Sequence, residues 1–260
     1  MIEFQQVSRS FGDKVAVDRL DLRISAGELY ALLGRNGAGK TTSIKMLVGL
    51  LRPGAGSIRV GGFDLVTQTR EAVALIGHVP DQPYLYDKLS AREILQFVAH
   101  MYGFDARQTR ERVHREIERF ELGEFADQLT ESYSHGMKQR TVFASALLHS
   151  PRVLVVDEPM VGLDPHSIRL VKTMLRSEVD AGMCVLMSTH TLTAAEEISD
   201  RVGIMNAGRL IFDGSVEQLR QQLSAGGQSL ESMYLELTEG NAAREPAAEP
   251  VGEPVAEPPA

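Results

Sequence analysis

The sequence predicts an α/β fold in which a core with a parallel sheet carries a small antiparallel β subdomain and an inserted helical subdomain. Three observations predict this fold. Short strand-like segments separated by turns begin the chain, a long block with helical periodicity fills its middle, and strand-like and helix-like segments alternate after that block. Such alternation is typical of parallel strands joined by crossover helices.

The antiparallel subdomain is predicted from three short apolar segments. Residues 2–7 and 20–24 indicate strands with the turn Gly12-Asp13 between them, and residues 56–60 indicate a third strand. Gly and Asp favour turns because they accept backbone conformations that most residues avoid. We therefore expect these segments to pair as a small antiparallel sheet.

A glycine-rich loop follows the apolar segment 27–31 and opens a helix predicted over 42–51, which ends before Pro53. The loop matches the pattern G-x-x-x-x-G-K-[ST], and its residues are Gly34, Arg35, Asn36, Gly37, Ala38, Gly39, Lys40, Thr41 and Thr42. Between a strand and a helix, this pattern predicts a phosphate-binding loop and hence a P-loop nucleoside triphosphatase core.

The residue types of the loop indicate its ligands. Gly34, Gly37 and Gly39 let successive backbone N–H groups turn inward, and the helix N-terminus adds the positive end of its dipole. Lys40 is expected to reach the β- and γ-phosphates, and the Thr41 hydroxyl is expected to bind Mg²⁺. The loop thus predicts a polyphosphate and Mg²⁺ as ligands.

The helical block extends from Ser90 to about His149. Ser90 and Glu93 have the spacing of a capping box, in which each residue satisfies a backbone N–H group of the other at a helix start. Because strands precede and follow this block, we predict an inserted helical subdomain over about 83–150.

Two carboxylates follow the next strand-like segment. Strands are predicted over 152–156 and 184–188, with a helix over 165–178 between them, and the first strand leads into Asp157-Glu158. Carboxyl ends of parallel strands form ligand sites in α/β sheets. The first acid suits Mg²⁺ and the second suits general-base catalysis on an attacking water.

A further motif, Tyr133-Ser134-His135-Gly136-Met137, opens an apolar helix between the two nucleotide motifs. With it, the chain resembles the nucleotide-binding subunit of an ATP-binding-cassette (ABC) transporter, whose signature is usually Leu-Ser-Gly-Gly-Gln. Ser134 and Gly136 keep the hydroxyl and the open backbone that contact phosphate, whereas His135 and Met137 depart from the commonest form. Similar variants occur in exporter-type subunits.

The resemblance implies roles for further residues. It implies that Phe11 stacks on adenine, the alternative being a core Phe beside a hairpin turn, and that residues 159–164 form the D-loop. It also implies that His190, after what we predict to be the last core strand, hydrogen-bonds the γ-phosphate and helps to position water. The family usually has a glutamine near Mg²⁺ where this sequence has Asp81 followed by Gln82, and which of the two binds the metal is left open.

The resemblance also implies partners. Two cassettes, either two copies or two homologous chains, are expected to pair head to tail, so that Ser134 and Gly136 of one contact ATP in the other. A transmembrane permease is expected to insert a coupling helix near residues 83–89, which include Tyr84 and Tyr86. Ordinary loop packing is the alternative for each tyrosine.

Composition narrows the function classes. The net charge is −8, and residues 241–260 contribute four glutamates and one arginine, so the chain is not expected to bind nucleic acid. We predict a nucleotide-binding domain over 1–238, with an apolar helix face at 230–237, and a disordered Glu/Pro/Ala-rich tail over 239–260. Cys184 is expected to be a buried strand residue.

Two functions agree with these observations. The first is an ATP-hydrolysing subunit of a membrane exporter, driven by ATP-dependent closure of a cassette dimer. The alternative is a soluble single-cassette ATPase that acts without a permease, for example in cofactor assembly. The N-terminus lacks a basic and apolar signal sequence, and no run of 18 apolar residues occurs. We therefore expect a chain that is soluble alone and peripheral on the cytoplasmic face of the membrane through its permease.

Overall fold

The structure is a computed structural model in which the backbone of residues 1–224 is described. The apolar helix face predicted at 230–237 and the tail predicted at 239–260 lie outside the described residues. Within residues 1–224, no helix is both long enough and apolar enough to span a membrane.

The strands of this part of the chain are β1 (Ile2–Phe11), β2 (Lys14–Ile24), β3 (Leu29–Leu33), β4 (Ala55–Val60), β5 (Phe63–Asp64), β6 (Ile76–Val79), β7 (Val153–Asp157), β8 (Cys184–Thr189), β9 (Arg201–Asn206) and β10 (Arg209–Ser215). The α-helices over the same residues are α1 (Lys40–Leu47), α2 (Thr69–Val73), α3 (Ala91–Met101), α4 (Ala106–Arg119), α5 (His135–Leu147), α6 (Pro165–Asp180), α7 (Leu192–Ile198) and α8 (Val216–Ser224).

The predicted antiparallel sheet is confirmed, with the strand order β2-β1-β4-β5. Ile2 pairs with Ile24 on one side and with Val60 on the other. The hairpin between β1 and β2 is longer than predicted, because its strands continue to Phe11 and Lys14 on either side of the turn. This extension places the Phe11 ring at the exposed tip of the hairpin.

The second sheet has six strands in the order β10-β9-β3-β8-β7-β6. All neighbouring pairs from β9 to β6 are parallel, and β10 is antiparallel to β9. The expectation that β8 is the last core strand is wrong, since β9 pairs in parallel with β3. A glycine weakens the strand pattern of β9, and the packing explains it: a Cβ at Gly203 would lie 1.9 Å from the Tyr30 hydroxyl.

The predicted helical block contains α3, α4 and α5, and the capping box of Ser90 and Glu93 at the start of α3 is present. Buried side chains of these helices, including Leu95, Val113 and Phe143, join one hydrophobic cluster with the strands of the parallel sheet. The predicted fold class is therefore confirmed. Cys184 is buried on β8 as expected, and burial raises the pKa of its thiol to about 12.

The register of the parallel sheet brings several strand ends to one edge. Val79 pairs with Val156, Asp157 pairs with Ser188, and Leu33 pairs with Thr189. The segments that follow β3, β6, β7 and β8 therefore leave the sheet side by side. In open α/β sheets this carboxyl edge is where ligands bind.

His149 joins the helical block to the sheet. Its ring stacks on Tyr102 with centroids 4.0 Å apart, and its Nε2 lies 3.2 Å from the carbonyl oxygen of Ile76 on β6. Because a carbonyl oxygen only accepts hydrogen bonds, Nε2 carries the hydrogen. Burial lowers the pKa of His149 to about 4, with a smaller contribution from Arg112 and an opposing one from the bond to Ile76.

We expect His149→Phe to reduce the acid sensitivity of the fold. An unfolded histidine takes up a proton near pH 6.5, but folded His149 resists protonation until about pH 4, so its contribution to stability falls as the pH drops through this window. The wild-type free energy of unfolding should lose about 2 kcal/mol from this residue between pH 7.5 and pH 5. Phenylalanine keeps a ring against Tyr102 and cannot be protonated.

Urea unfolding of both proteins at the two pH values measures this difference. At pH 7.5 the variant should be less stable by about 1 kcal/mol, because the hydrogen bond to Ile76 is lost. A fall in stability between the two pH values that is the same for both proteins would contradict the assignment.

Candidate functional site

The glycine-rich loop wraps closely around the start of α1. Gly37 and Gly39 adopt left-handed backbone conformations, with φ of +84° and +111°. A Cβ on Gly39 would lie 2.5 Å from the carbonyl oxygen of Ala16 and 2.8 Å from Cε of Met205. Glycine is required here by both conformation and space, and the loop closes over the helix N-terminus, where backbone N–H groups favour an anion.

Lys40, the first residue of α1, lies inside this loop and is buried. Its ammonium group donates to the carbonyl oxygen of Gly34 at 2.5 Å and lies 3.7 Å from Oε1 of Glu158. Burial lowers the pKa of Lys40 from its ordinary value, while the Glu158 and Asp157 carboxylates oppose this shift. A lysine cation is thus held between loop carbonyls and a carboxylate, where a phosphate would be a stronger partner than a carbonyl.

Asp157 is the last residue of β7 and is only 4% exposed. It accepts hydrogen bonds from the hydroxyls of Ser188 and Thr41. Burial raises the pKa of Asp157, the two hydroxyls lower it, and the neighbouring Asp81 and Glu158 carboxylates raise it further. A cation bound between these carboxylates would replace their mutual repulsion with attraction to the cation.

Glu158 is held in a strained left-handed conformation, with φ of +48°. Its backbone N–H donates to Oγ of Ser188 at 3.1 Å, and its Oε2 lies 2.9 Å from Nδ1 of His190. A carboxylate accepts hydrogen bonds, so Nδ1 carries the hydrogen and Nε2 is left for a ligand. Lys40 therefore lies near one oxygen of the Glu158 carboxylate, and His190 hydrogen-bonds to the other.

Ser188 is a residue of the candidate site that the sequence analysis did not assign. It donates to Asp157 and accepts from the backbone of Glu158, so it contacts both acidic residues of the site. The available signal in the sequence was a polar residue near the end of an otherwise apolar strand. The hydrogen-bond partners of Ser188 could not be predicted, because they depend on the register of β7 against β8.

A cavity of about 560 Å³, the phosphate-loop cavity, collects most of the predicted ligand-binding residues. Its lining residues are Phe11, Lys14, Ala16, Arg35, Asn36, Gly37, Gly39, Lys40, Thr41, Thr42, Asp81, Asp157 and Glu158. Phe11 is half-exposed, with the Arg9 guanidinium 5.1 Å from its ring centroid. Two other residues of the loop, Gly34 and Ala38, are buried and do not line the cavity.

A second cavity of about 600 Å³, the histidine cavity, adjoins the first. It is lined by Asn36, Asp81, Gln82, Pro83, His135, Lys138, Glu158, Val161 and His190. Asp81 lines both cavities, whereas Gln82 lines only the histidine cavity. Ser134 and Gly136 line neither: Ser134 caps α5 by accepting from the backbone N–H of Met137, and Gly136 packs against α6.

The donor set of the phosphate-loop cavity fits Mg²⁺. Among the described residues, no three His, Cys, Asp or Glu side chains form a metal-binding cluster. The cavity instead offers the Thr41 hydroxyl and the carboxylates of Asp157 and Asp81. Mg²⁺ is commonly held by one or two carboxylates together with substrate phosphates, so this sparse oxygen set is suited to a metal that arrives with a nucleotide.

Comparison with known proteins agrees with this geometry. The family model described as ABC transporter matches residues 17–161. This chain belongs to the ABC transporter family. The chain is therefore an ATP-binding protein and an ATPase of that family, and the predicted resemblance is confirmed.

Relatives in this family include three bacterial ATP-binding proteins. The daunorubicin resistance ATP-binding protein DrrA3 of Streptomyces coeruleorubidus is 36% identical over 90% of this chain and 74% of its own length. The Nod factor export ATP-binding protein I of Paraburkholderia xenovorans is 38% identical over 84% of this chain and 72% of its own. The linearmycin resistance ATP-binding protein LnrL of Bacillus subtilis is 35% identical over 88% and 73%.

A solved structure described as the ATP-binding subunit of an ABC transporter has the same fold. It superposes with a TM-score of 0.84 at 31% identity, covering 92% of this chain and 99% of the other. A second structure, cbiO1 from Clostridium perfringens, has a TM-score of 0.75 at 24% identity over 93% of this chain and 96% of its own. The second likeness concerns the fold alone.

The placement of Asp81 predicts a contrast between two neighbouring variants. Because Asp81 lines the phosphate-loop cavity with Thr41 and Asp157 and Gln82 does not, Asp81→Ala should raise the Mg²⁺ concentration for half-maximal ATP hydrolysis by about tenfold. Gln82→Ala should leave it unchanged. Mg²⁺ titration of steady-state hydrolysis at fixed total ATP measures both, and identical titrations for Asp81→Ala and the wild type would show that Asp81 does not bind the metal.

Proposed function

We propose that this chain is the ATP-hydrolysing subunit of a membrane exporter. The observation that carries the proposal is the cluster of Lys40, Asp157 and Glu158, which the phosphate-binding loop and the end of β7 bring into one cavity. Charged and hydroxyl groups in that arrangement serve Mg²⁺-dependent hydrolysis of a nucleoside triphosphate. Names of relatives that refer to export and drug resistance support the direction of transport.

The reaction divides among the site residues. The loop backbone and Lys40 bind the phosphates, and Thr41, Asp157 and Asp81 hold Mg²⁺, which supplies neutralisation of the phosphate charge when bound. Glu158 acts as the general base that takes a proton from the attacking water. His190 donates through Nδ1 to Glu158 and offers Nε2 to the γ-phosphate or to water. Phe11 stacks on the adenine ring.

A second cassette completes the site. Ser134 and Gly136 line neither the phosphate-loop cavity nor the histidine cavity of their own chain. Their hydroxyl and backbone N–H groups at the start of α5 are suited to phosphate. In this proposal they bind the γ-phosphate of ATP held by a head-to-tail partner, either a second copy or a homologous chain, so that ATP closes the dimer and hydrolysis reopens it.

A permease binds near the Asp81 loop. Tyr84 and Tyr86 are exposed large apolar side chains, at 87% and 66% of their surface. Aromatic side chains of this kind are common energetic anchors in protein interfaces. Since only Pro83 separates Tyr84 from Asp81 and Gln82, a permease helix that binds there can transmit its movement to the metal site. The chain in this proposal lies on the cytoplasmic face of the membrane through that contact.

Glu158→Gln tests the catalytic assignment. The variant should bind ATP within about threefold of the wild type and lose at least 100-fold in the hydrolysis rate, because glutamine keeps the size of the side chain but cannot accept the proton. Bound ATP should then hold the cassettes together, which size-exclusion chromatography with light scattering measures as an ATP-dependent dimer.

The matched control is Glu111→Gln, which neutralises an exposed glutamate on α4 that pairs with Arg107. It should hydrolyse ATP as the wild type does. If Glu158→Gln turns over ATP at the wild-type rate while binding it normally, Glu158 is not the base.

A double variant tests the permease contact. Replacing Tyr84 and Tyr86 with Ala should prevent recovery of an integral membrane protein by affinity capture from native membranes, because truncation of anchoring aromatics typically costs roughly 2 kcal/mol or more. ATP binding should be unchanged, since neither tyrosine lines the phosphate-loop cavity.

The matched control is the pair Leu50→Ala and Val66→Ala, two other exposed apolar residues, which should leave the capture intact. If the wild-type protein captures no integral membrane protein even under crosslinking, the exporter proposal fails and a soluble cassette ATPase takes its place.

A further inference from the structure

His135 stands where the usual family signature has a glycine, and its side chain makes a contact that glycine cannot. Nε2 of His135 lies 3.1 Å from the carbonyl oxygen of Val161 in the D-loop. Since a carbonyl oxygen only accepts hydrogen bonds, the ring donates through Nε2. The start of α5 is thereby fastened to a loop that is 26 residues away along the chain.

The D-loop that receives this bond begins directly after the proposed base. The backbone N–H of Val161 donates to the carbonyl oxygen of Glu158 at 3.3 Å. Both backbone groups of Val161 are therefore hydrogen-bonded: its N–H donates to Glu158, and its carbonyl oxygen accepts from His135. Gly162, with φ of +72°, lets the chain pass beneath the His135 ring, which lies 3.4 Å from the position of a Cβ there.

A second contact holds the same two segments together. A Cβ at Gly136 would lie 3.2 Å from Oγ of Ser167 and 3.4 Å from Oδ2 of Asp164. The Asp164 side chain caps α6 by accepting hydrogen bonds from backbone N–H groups in the first turn of that helix. The first turn of α5 thus packs on the first turn of α6 with the D-loop between them. The side chain of His135 supplies the directional bond in this contact.

We propose that His135 is a positioning residue that couples the signature turn to the orientation of Glu158 through Val161. The proposal rests on the assignment of Glu158 as the base. A shift of α5 toward ATP in a second cassette moves His135, and the bond to Val161 draws the D-loop and the strained backbone of Glu158 with it. Hydrolysis then follows engagement of the signature, because the base reaches its catalytic orientation only when α5 is in place.

Three substitutions separate the bond from the bulk of the side chain. His135→Ala and the family-like His135→Gly remove the donor, whereas His135→Gln places an amide N–H at about the same distance from Cα as Nε2. The first two should lower kcat about 5- to 10-fold, the size expected for one lost hydrogen bond that matters to the reacting geometry, with KM for ATP within about twofold. His135→Gln should recover kcat to within about twofold of the wild type.

Hydrogen–deuterium exchange of residues 159–163 measures directly how firmly the backbone of the D-loop is held. His135→Ala and His135→Gly should exchange faster there, and His135→Gln should exchange as the wild type does, since the Val161 N–H is protected only while the loop is held. His114→Ala is the matched control, because His114 is an exposed histidine of α4 that pairs with Glu118. It should change neither kcat nor exchange.

Several results would overturn the proposal. These are a wild-type kcat in His135→Ala, a slow His135→Ala with unchanged exchange over 159–163, and a His135→Gln variant as slow as His135→Ala. Failure of the base assignment is recognised separately, because it leaves Glu158→Gln active whatever residue occupies position 135.

Discussion

One hydroxyl group near the end of β8, that of Ser188, hydrogen-bonds to both acidic residues of the candidate site. The Ser188 hydroxyl donates to Asp157 and accepts from the backbone N–H of Glu158, which a single hydroxyl can do because it has one donor and two lone pairs. A buried carboxylate such as Asp157 is costly without such partners, and the left-handed backbone of Glu158 needs external support. The geometry of Asp157 and Glu158, the proposed metal ligand and the proposed base, therefore depends on the position of Ser188.

The position of Ser188 is in turn a matter of strand register. β7 and β8 are buried on both faces and apolar until their last residues, and their pairing sets Asp157 against Ser188. A slip of one residue would turn each side chain to the opposite face of the sheet. The packing of the two apolar strands thus determines which hydroxyl hydrogen-bonds to which carboxylate in the candidate site.

Features contained in consecutive residues could be predicted, and features that depend on packing could not. The phosphate-binding loop and the acid pair 157–158 follow from local strand, turn and helix patterns. Ser188 and the choice of Asp81 over Gln82 as a lining residue of the phosphate-loop cavity depend on contacts between distant segments. β9 was missed because Gly203 interrupts its apolar pattern, and the reason for that glycine, the Tyr30 ring, lies on another strand.

The phosphate-loop cavity is lined by equal numbers of acidic and basic residues, but these residues differ in burial. Among its described lining residues, three are acidic and three are basic: Asp81, Asp157, Glu158, Lys14, Arg35 and Lys40. Two of the acids lie at the sheet edge beside Lys40, whereas Lys14 and Arg35 are exposed. A polyanion alone would meet repulsion from the acids, and a lone cation would meet repulsion from Lys40. A polyphosphate that carries its own divalent cation would be attracted by both sets of charges, which is the ligand chemistry that the proposed function requires.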